Sequence, residues 1–174
     1  MSKRTTAALR VRLLGVGLLT GLGLPVCAAP GKVSDGGFSY ALPAGWQTLD
    51  LQNAPQTLYS LASPAGNAAA TFSVQNVSSA LPPDRYVQKL LAGLKAAAPQ
   101  TQVFSQRAFV TSSGLRGYRA VFDETAPGES THFVICVFPG PGRLRLLVAG
   151  LWPTSDTASY DPAVSRSLET FAVK

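Results

Sequence analysis

One imidazole, that of His132, limits the catalytic chemistry that the hydroxyl groups of this chain could perform. A serine hydrolase needs a base within hydrogen-bonding reach of its nucleophile, and the sequence contains no Gly-x-Ser-x-Gly nucleophile elbow. His132 begins a predicted strand beside a turn, where a hydrogen-bonding role at the surface is the simpler interpretation. We therefore expect a protein that is not an enzyme.

Carboxylates stand close to the same histidine, and such groups can converge on a divalent metal ion. They are Asp123, Glu124 and Glu129. Their spacing matches no ligand motif, and adjacent residues of a strand, such as Asp123 and Glu124, leave it by opposite faces. The pattern favours a solvated hairpin, so no metal and no cofactor is predicted. Weak metal binding is kept as an alternative.

Four arginines near two predicted strands could recognise an acidic partner, a polyanionic envelope component or a carboxylate ligand. They are Arg116, Arg119, Arg143 and Arg145. Arg143 and Arg145 are two apart at the start of a strand and share a face, whereas Arg116 and Arg119 are three apart and point to opposite faces. The simpler interpretation is that these are solvent-facing residues whose stems cover apolar surface.

The two tryptophans, Trp46 and Trp152, each stand next to a Pro or Gly corner. An indole at such a corner commonly plugs the end of a sheet, so packing in the core is the first expectation. If they were exposed together with Tyr40 or Tyr160, they would instead form an aromatic patch for a partner or ligand.

The first 28 residues have the features of a secretory signal peptide: a basic start, an apolar run and a small-residue cleavage site. The apolar run, residues 13–24, is shorter than the roughly 20 residues that a membrane-spanning helix needs. Cleavage after Ala28 places Val26 and Ala28 where signal peptidase requires small residues. An alternative is a lipoprotein anchored through Cys27, so the mature chain begins at Ala29 or at a lipid-modified Cys27.

Removing this leader changes the charge balance of the chain. Four of its 15 basic residues lie in the first 12 positions, so the excess of positive charge falls from six to two. No Lys/Arg cluster that could follow a phosphate backbone is left. We expect no nucleic-acid binding and, after cleavage, no membrane span.

A coarse pass along the rest of the chain predicts a flexible tether at 29–37 and a single domain at 38–174. Alternating side chains predict strands at 38–42, 57–62 and 69–77, and then a helix opened by Pro82 and Pro83 that ends near Pro99. The apolar positions of this helix recur at helical spacing on one face. They are Val87, Leu90, Leu91 and Leu94.

After this helix the pattern returns to strands, at 102–111, 117–123, 131–138 and 143–151, joined by turn residues suited to consecutive hairpins. Cys136 lies in the third of these strands, where a small apolar core residue is expected. Asp161 and Pro162 are predicted to begin a closing helix that buries Val164, Leu168 and Phe171. About six to seven antiparallel strands, one long helix after the third strand and one C-terminal helix define an α+β class.

The aromatic strand that leads into Pro43-Ala44-Gly45-Trp46, together with the closing Thr170-Phe171, resembles the PsbP-like superfamily over residues 38–173. This superfamily includes the PsbP subunit of photosystem II, a nuclear Ran-release factor and many small exported bacterial proteins. The resemblance implies an α-β-α sandwich with a central antiparallel sheet, and a binding or accessory role. It transfers no site residue to this chain.

Leader and resemblance together lead us to expect an exported, non-enzymatic binding or accessory protein of the cell envelope, secreted or periplasmic, with an unidentified protein or envelope partner. The alternative is a carrier module that binds a small ligand or, weakly, a metal, using a pocket between the sheet and the first helix. A membrane-tethered lipoprotein, anchored through Cys27, is a further alternative, and an enzyme ranks third.

The mature N-terminus can be tested on protein purified from its native host. We expect the intact mass of an unmodified chain that begins at Ala29 and leaves the cell without detergent, because Val26 and Ala28 satisfy the peptidase. A mass that corresponds to a diacylated or triacylated chain beginning at Cys27, extracted only by detergent, would contradict this prediction.

Overall fold

The computed structural model describes residues 32–35, 37–43, 46–48, 57–62, 70–126, 128–142 and 144–173 of the 174-residue chain. The predicted leader with Cys27 lies outside the described residues, and so does Arg143. Within these ranges, neither helix combines the length and the apolar character that crossing a bilayer requires.

Ten strands, two helices and one short 3-10 turn form the regular structure of the described ranges. The strands are β1 (Lys32–Asp35), β2 (Phe38–Ala41), β3 (Gln47–Thr48), β4 (Thr57–Ala62), β5 (Thr71–Ser78), β6 (Gln102–Val110), β7 (Arg116–Ala126), β8 (Glu129–Pro139), β9 (Leu144–Pro153) and β10 (Ala172–Val173). Helix α1 (Pro83–Ala97) lies between β5 and β6, and α2 (Thr157–Glu169) follows the 3-10 turn Thr154–Asp156.

Seven strands form one antiparallel sheet in the order β3-β4-β5-β9-β8-β7-β6. Strands β6 to β9 are joined by consecutive hairpins, as the turn residues predict. The sheet continues because β9 also pairs with β5, which places Val74 opposite Val148. With one helix on each face, the structure confirms the predicted α+β class and the α-β-α sandwich.

The N-terminal part of the fold differs from the sequence-based prediction. β1 lies inside the segment predicted as a flexible tether, and the long helix follows the fifth strand instead of the third. Gly37 has a φ of +84°, which lets the chain turn tightly so that β1 pairs with β2. β2 also pairs with β10, so the first predicted strand belongs to a separate three-stranded sheet and not to the large one.

Helix α1 buries the apolar face that its sequence predicts. Val87 and Leu91 are buried, and Leu90 and Leu94 pack beside them. The helix begins at Pro83, where the missing amide costs no hydrogen bond, and ends at Ala97, ahead of Pro99. It covers alternate residues of β7 and β8, namely Ala120, Phe122, Phe133, Ile135 and Val137.

Helix α2 begins at Thr157, five residues earlier than predicted, so Pro162 lies inside it instead of at its first position. The earlier start is fixed from β9: the indole Nε1 of Trp152 donates to Thr157 Oγ1 at 3.2 Å, and this hydroxyl donates to the carbonyl of Thr154 at 2.9 Å. These bonds anchor the first turn of α2, ahead of Pro162.

The C-terminal end of α2 joins the small sheet to the large one through aromatic rings. Phe171 stacks on Phe38 of β2 at 5.6 Å and on Phe138 of β8 at 5.2 Å between ring centroids. Thr170 Oγ1 accepts the amide of Ala41 at 2.8 Å and donates to the carbonyl of Ser167 at 3.0 Å. The Thr-Phe pair that carries the family resemblance therefore connects helix, small sheet and core.

Helix α2 approaches the large sheet closely at Gly150 of β9. A Cβ atom added there would lie 2.7 Å from Val164 Cγ1 and 3.0 Å from Trp152 Cζ3. Contacts this short cannot be accommodated without moving the helix or the indole. The absence of a side chain at Gly150 thus determines how near α2 lies to the sheet.

Replacing this glycine tests that constraint. We expect Gly150→Ala to lower the free energy of unfolding by about 1–3 kcal/mol, because the methyl group overpacks the interface. Gly93→Ala is the matched control, since no atom lies within 4 Å of its added Cβ in α1, and it should stabilise the protein by about 0.5–1 kcal/mol. Urea denaturation measures both changes. A Gly150→Ala protein as stable as the parent would show that α2 is not held by this contact.

Candidate functional site

A groove with a volume of about 390 Å³ opens between the start of α2 and the outer strands β6 and β7. Its residues come from the edge strand, from the two strands behind it, and from the turn and first part of α2. They are Phe104 and Ser105 of β6, Arg119, Val121 and Asp123 of β7, His132 of β8, and Thr154, Thr157 and Asp161.

Strand alternation and register bring these side chains together. Arg119, Val121 and Asp123 are two residues apart on β7 and so share the face that carries α2. His132 lies directly opposite Asp123 in the neighbouring strand, and Trp152 lies opposite His132 in the next. The register of β6 shifts between Val103 and Ser105, and this bulge sets Phe104 beside the groove.

The groove floor contains a buried ion-pair geometry. His132 Nδ1 lies 2.6 Å from Asp123 Oδ1, and the two side chains are 8% and 14% exposed. The imidazole lies between two rings, with its centroid 5.2 Å from that of Trp152 and 6.1 Å from that of Phe104. The expected surface role for His132 is therefore wrong. The hairpin extends beyond the predicted strand ends, which places His132 and Asp123 well inside the ladder.

The remaining carboxylates of the predicted cluster do not join this pair. Glu124 pairs with Thr131 in the ladder, so it leaves β7 by the opposite face from Asp123, as expected. Glu129 lies at the exposed end of the hairpin, opposite Ala126. Among the described residues, no three His, Cys, Asp or Glu side chains come together in a geometry that could hold a metal ion.

Arg119 connects the sheet to α2 across the groove. Its Nη2 donates to Ser165 Oγ at 3.1 Å and lies 3.8 Å from Asp161 Oδ1. The side chain is 13% exposed, and its Nε is buried without an acceptor among the described residues. Leaving a buried donor of a charged group unsatisfied costs about 1–3 kcal/mol or more.

The structure does not bring the other predicted arginines to Arg119. Arg116 is exposed at the far end of β7, beside the start of α1, where it lines a smaller cavity of about 260 Å³. Arg145 Nε donates to the carbonyl of Leu81 at 2.9 Å, which holds the chain that leads into α1. Arg143 lies outside the described residues. Arg116 and Arg119 thus occupy opposite faces, as their spacing of three predicts.

The tryptophans do not form a surface patch. Trp46 is 5% exposed and Trp152 is fully buried. Both pack against Tyr160 of α2, with ring centroids 6.1 Å and 6.2 Å away. The prediction that both tryptophans are core residues is confirmed. They are buried because α2 covers the Pro or Gly corner next to each of them.

Comparison with known proteins identifies the architecture. No protein-family model and no curated protein matches the sequence. Solved structures do match. Cyanobacterial PsbP (CyanoP) from Synechocystis sp. PCC 6803 is 14% identical, and the alignment covers 91% of this chain and 99% of that one with a TM-score of 0.61. The chain has the PsbP-like fold.

Two further structures have the same PsbP-like fold. LpqN, involved in cell envelope biogenesis of Mycobacterium tuberculosis, is 16% identical over 84% of this chain and 91% of that one, with a TM-score of 0.59. The Ran-binding protein Mog1p of Saccharomyces cerevisiae is 12% identical over 83% and 95%, with a TM-score of 0.57. Because identities are this low, the groove has to be interpreted from the residues of this chain.

Sequence analysis missed three residues that matter for the groove of this PsbP-like fold. Phe104 is 53% exposed, and only the bulge in β6 directs it to the groove. Arg107 is exposed and lies directly opposite Arg119 in the β6–β7 ladder. Asp161, interpreted as a helix cap, lies inside α2 near Arg119. The sequence could have placed Arg107 on the same face as Ser105 and Phe109, because each lies two residues away on the strand. Its cross-strand partner, however, depends on the register between β6 and β7.

Cys136, opposite Arg119 on β8, is fully buried in the core. Burial raises the pKa of its thiol from 9.0 to about 12, although the positive charge of Arg119 opposes the change. The thiolate is therefore scarce in the folded protein at neutral or mildly alkaline pH. This confirms the structural role expected for Cys136.

Thiol modification tests this role. At pH 8, we expect Cys136 of the folded protein to resist a disulfide reagent that modifies the denatured chain within minutes, with Cys136→Ser as the blank. Because the unfolded thiol loses its proton near pH 9 and the folded thiol near pH 12, unfolding releases a proton in that window. Stability should therefore fall as pH rises from 9 to 12. Rapid labelling of the folded protein would contradict the burial.

Proposed function

We propose that this protein is an exported, non-enzymatic binding or accessory protein of the cell envelope that docks a protein partner at the groove. The observation that carries the proposal is Phe104, which is 53% exposed and lines the same groove as Arg119. An aromatic anchor next to an arginine is the composition of binding hot spots in protein interfaces.

The shape of the groove favours a macromolecular partner over a small ligand. Small-molecule sites are concave and enclose most of the ligand surface. This groove is instead open to solvent at the edge of the sheet, where Phe104 is 53% exposed. The alternative of a ligand pocket between the sheet and the first helix is disfavoured, since Val87 and Leu91 of α1 pack directly onto the sheet.

The hydrogen bonds among the polar groups of the groove favour a structural role for these groups over a catalytic one. His132 is held by Asp123 through Nδ1 and lies between two aromatic rings. The hydroxyl of Thr157 is engaged by Trp152 and by the carbonyl of Thr154, and the hydroxyl of Thr154 contacts Ser130 Oγ at 2.9 Å. These bonds fix the shape of the groove floor and wall.

The names of the structural neighbours are consistent with this proposal. Mog1p is a Ran-binding protein, and LpqN is involved in cell envelope biogenesis. For this chain, a secreted or periplasmic location follows from its predicted leader. Together, the names of these neighbours and the predicted export of this chain favour a protein partner at the cell envelope.

Site-specific crosslinking in the native host tests the docking surface. A photoreactive phenylalanine analogue placed at Phe104 is expected to yield a discrete crosslinked protein. The same analogue at Val110 is the matched control, because Val110 is 57% exposed at the other end of the same strand. If Phe104 gives no product beyond that of Val110, the groove is not the docking surface.

A further inference from the structure

We infer that the groove recognises a carboxylate close to an apolar side chain on an extended segment of the partner protein. This inference rests on the proposed function and specifies the chemistry of the partner. Its basis is a pair of arginines, Arg107 and Arg119, that face each other across the β6–β7 ladder.

Two guanidinium groups directly opposite each other on one face of a sheet repel, which is unfavourable unless an anion lies between them. The register places Arg107 opposite Arg119, and paired residues of an antiparallel ladder share a face. Arg107 is exposed and forms no ion pair with the described residues. The pair is therefore suited to an acidic group that arrives from outside.

Within the groove, Asp161 is the carboxylate that pairs with Arg119, so one carboxylate faces two guanidinium groups and Arg107 has no ion-pair partner among the described residues. Asp123 is engaged with His132 at 2.6 Å. Asp161 lies 3.8 Å from Arg119 Nη2, and its side chain is 38% exposed. Arg119 Nε is buried without an acceptor in the described ranges. One further carboxylate beside the exposed Arg107 would balance the charge of that guanidinium.

The apolar part of the site lies on the same edge. Phe104 is 53% exposed, and Val121 of β7 lines the groove next to it. Phe104 precedes Arg107 by three positions, a distance of about 10 Å along an extended strand. A ligand that contacts both needs an anionic group and an apolar group separated by two to three residues.

The position of β6 favours a polypeptide as the source of both groups. β6 is the last strand in the order of the large sheet, so within the described residues one of its edges has no strand beside it. An extended segment can add to such an edge through main-chain hydrogen bonds and present alternate side chains to the groove face. An extended segment with acidic and apolar side chains can pair with the edge of β6 and contact both the arginine pair and Phe104.

The test measures fluorescence anisotropy with the protein expressed with its own leader and purified from the host. The probe is a fluorescein-labelled, capped peptide, Thr-Glu-Thr-Leu-Thr-Glu-Thr-Leu, whose Glu and Leu side chains share one face of a strand. Its partner probe has Gln in place of both Glu residues. We expect the Glu peptide to bind at least about tenfold more tightly than the Gln peptide, because the Gln peptide cannot form a hydrogen bond with a charged acceptor.

Matched variants assign the effect to the groove. Arg107→Gln should weaken the Glu peptide about tenfold and leave the Gln peptide unchanged. Arg116→Gln, an exposed arginine on the opposite face, should change neither. Phe104→Ala should weaken both peptides, whereas Val110→Ala should weaken neither. Arg107 and Phe104 are exposed, so urea denaturation should show that both variants fold.

Three results would overturn the inference. Equal affinity for the two peptides, still reduced by Phe104→Ala, would exclude carboxylate recognition and leave the proposed docking surface intact. Binding of neither peptide would exclude this class of partner segment, and the crosslink at Phe104 would then decide the proposed function separately. If sodium decanoate displaced the Glu peptide and bound more tightly than the peptide, the ligand would be an amphipathic lipid.

Discussion

The close approach of α2 to β9 at Gly150 is the contact on which the rest of this molecule depends. It allows Val164 to rest almost on the backbone of the sheet, where a Cβ atom would lie 2.7 Å from Val164 Cγ1. This seating brings Tyr160 over Trp46 and Trp152, and it positions Ser165 and Asp161 to meet Arg119. The wall of the groove is thus a consequence of helix packing.

The groove also depends on how polar groups are accommodated beside a core. Asp123 and His132 are mostly buried, and burial of polar groups is tolerated when they are hydrogen-bonded to each other. Arg119 is only partly satisfied, because Ser165 takes one donor while Nε has no acceptor among the described residues. A rigid floor beside an incompletely satisfied cation suits recognition of an acceptor, and the exposed Phe104 adds apolar area at its edge.

Local pattern was sufficient for some elements and insufficient for others. The hairpins from β6 to β9 and the buried face of α1 were predictable, because turn residues and helical spacing act over a few positions. The start of α2 was misassigned: Asp161 and Pro162 resemble a helix opening, but hydrogen bonds from Trp152 and Thr157 begin the helix earlier. β1 was interpreted as a tether since its strand character comes from pairing with β2.

By itself, the sequence determined the α+β class, the expectation of an exported leader, the opposite faces of Arg116 and Arg119 and the core role of Cys136. Each of these depends on composition or on spacing within one segment. Only the tertiary structure decided that β5 pairs with β9, that His132 is buried against Asp123, and that Arg107 faces Arg119. The first joins segments distant along the chain, and the other two depend on strand register and on the helix that covers this face of the sheet. For β6 and β7, the bulge at Phe104 sets that register.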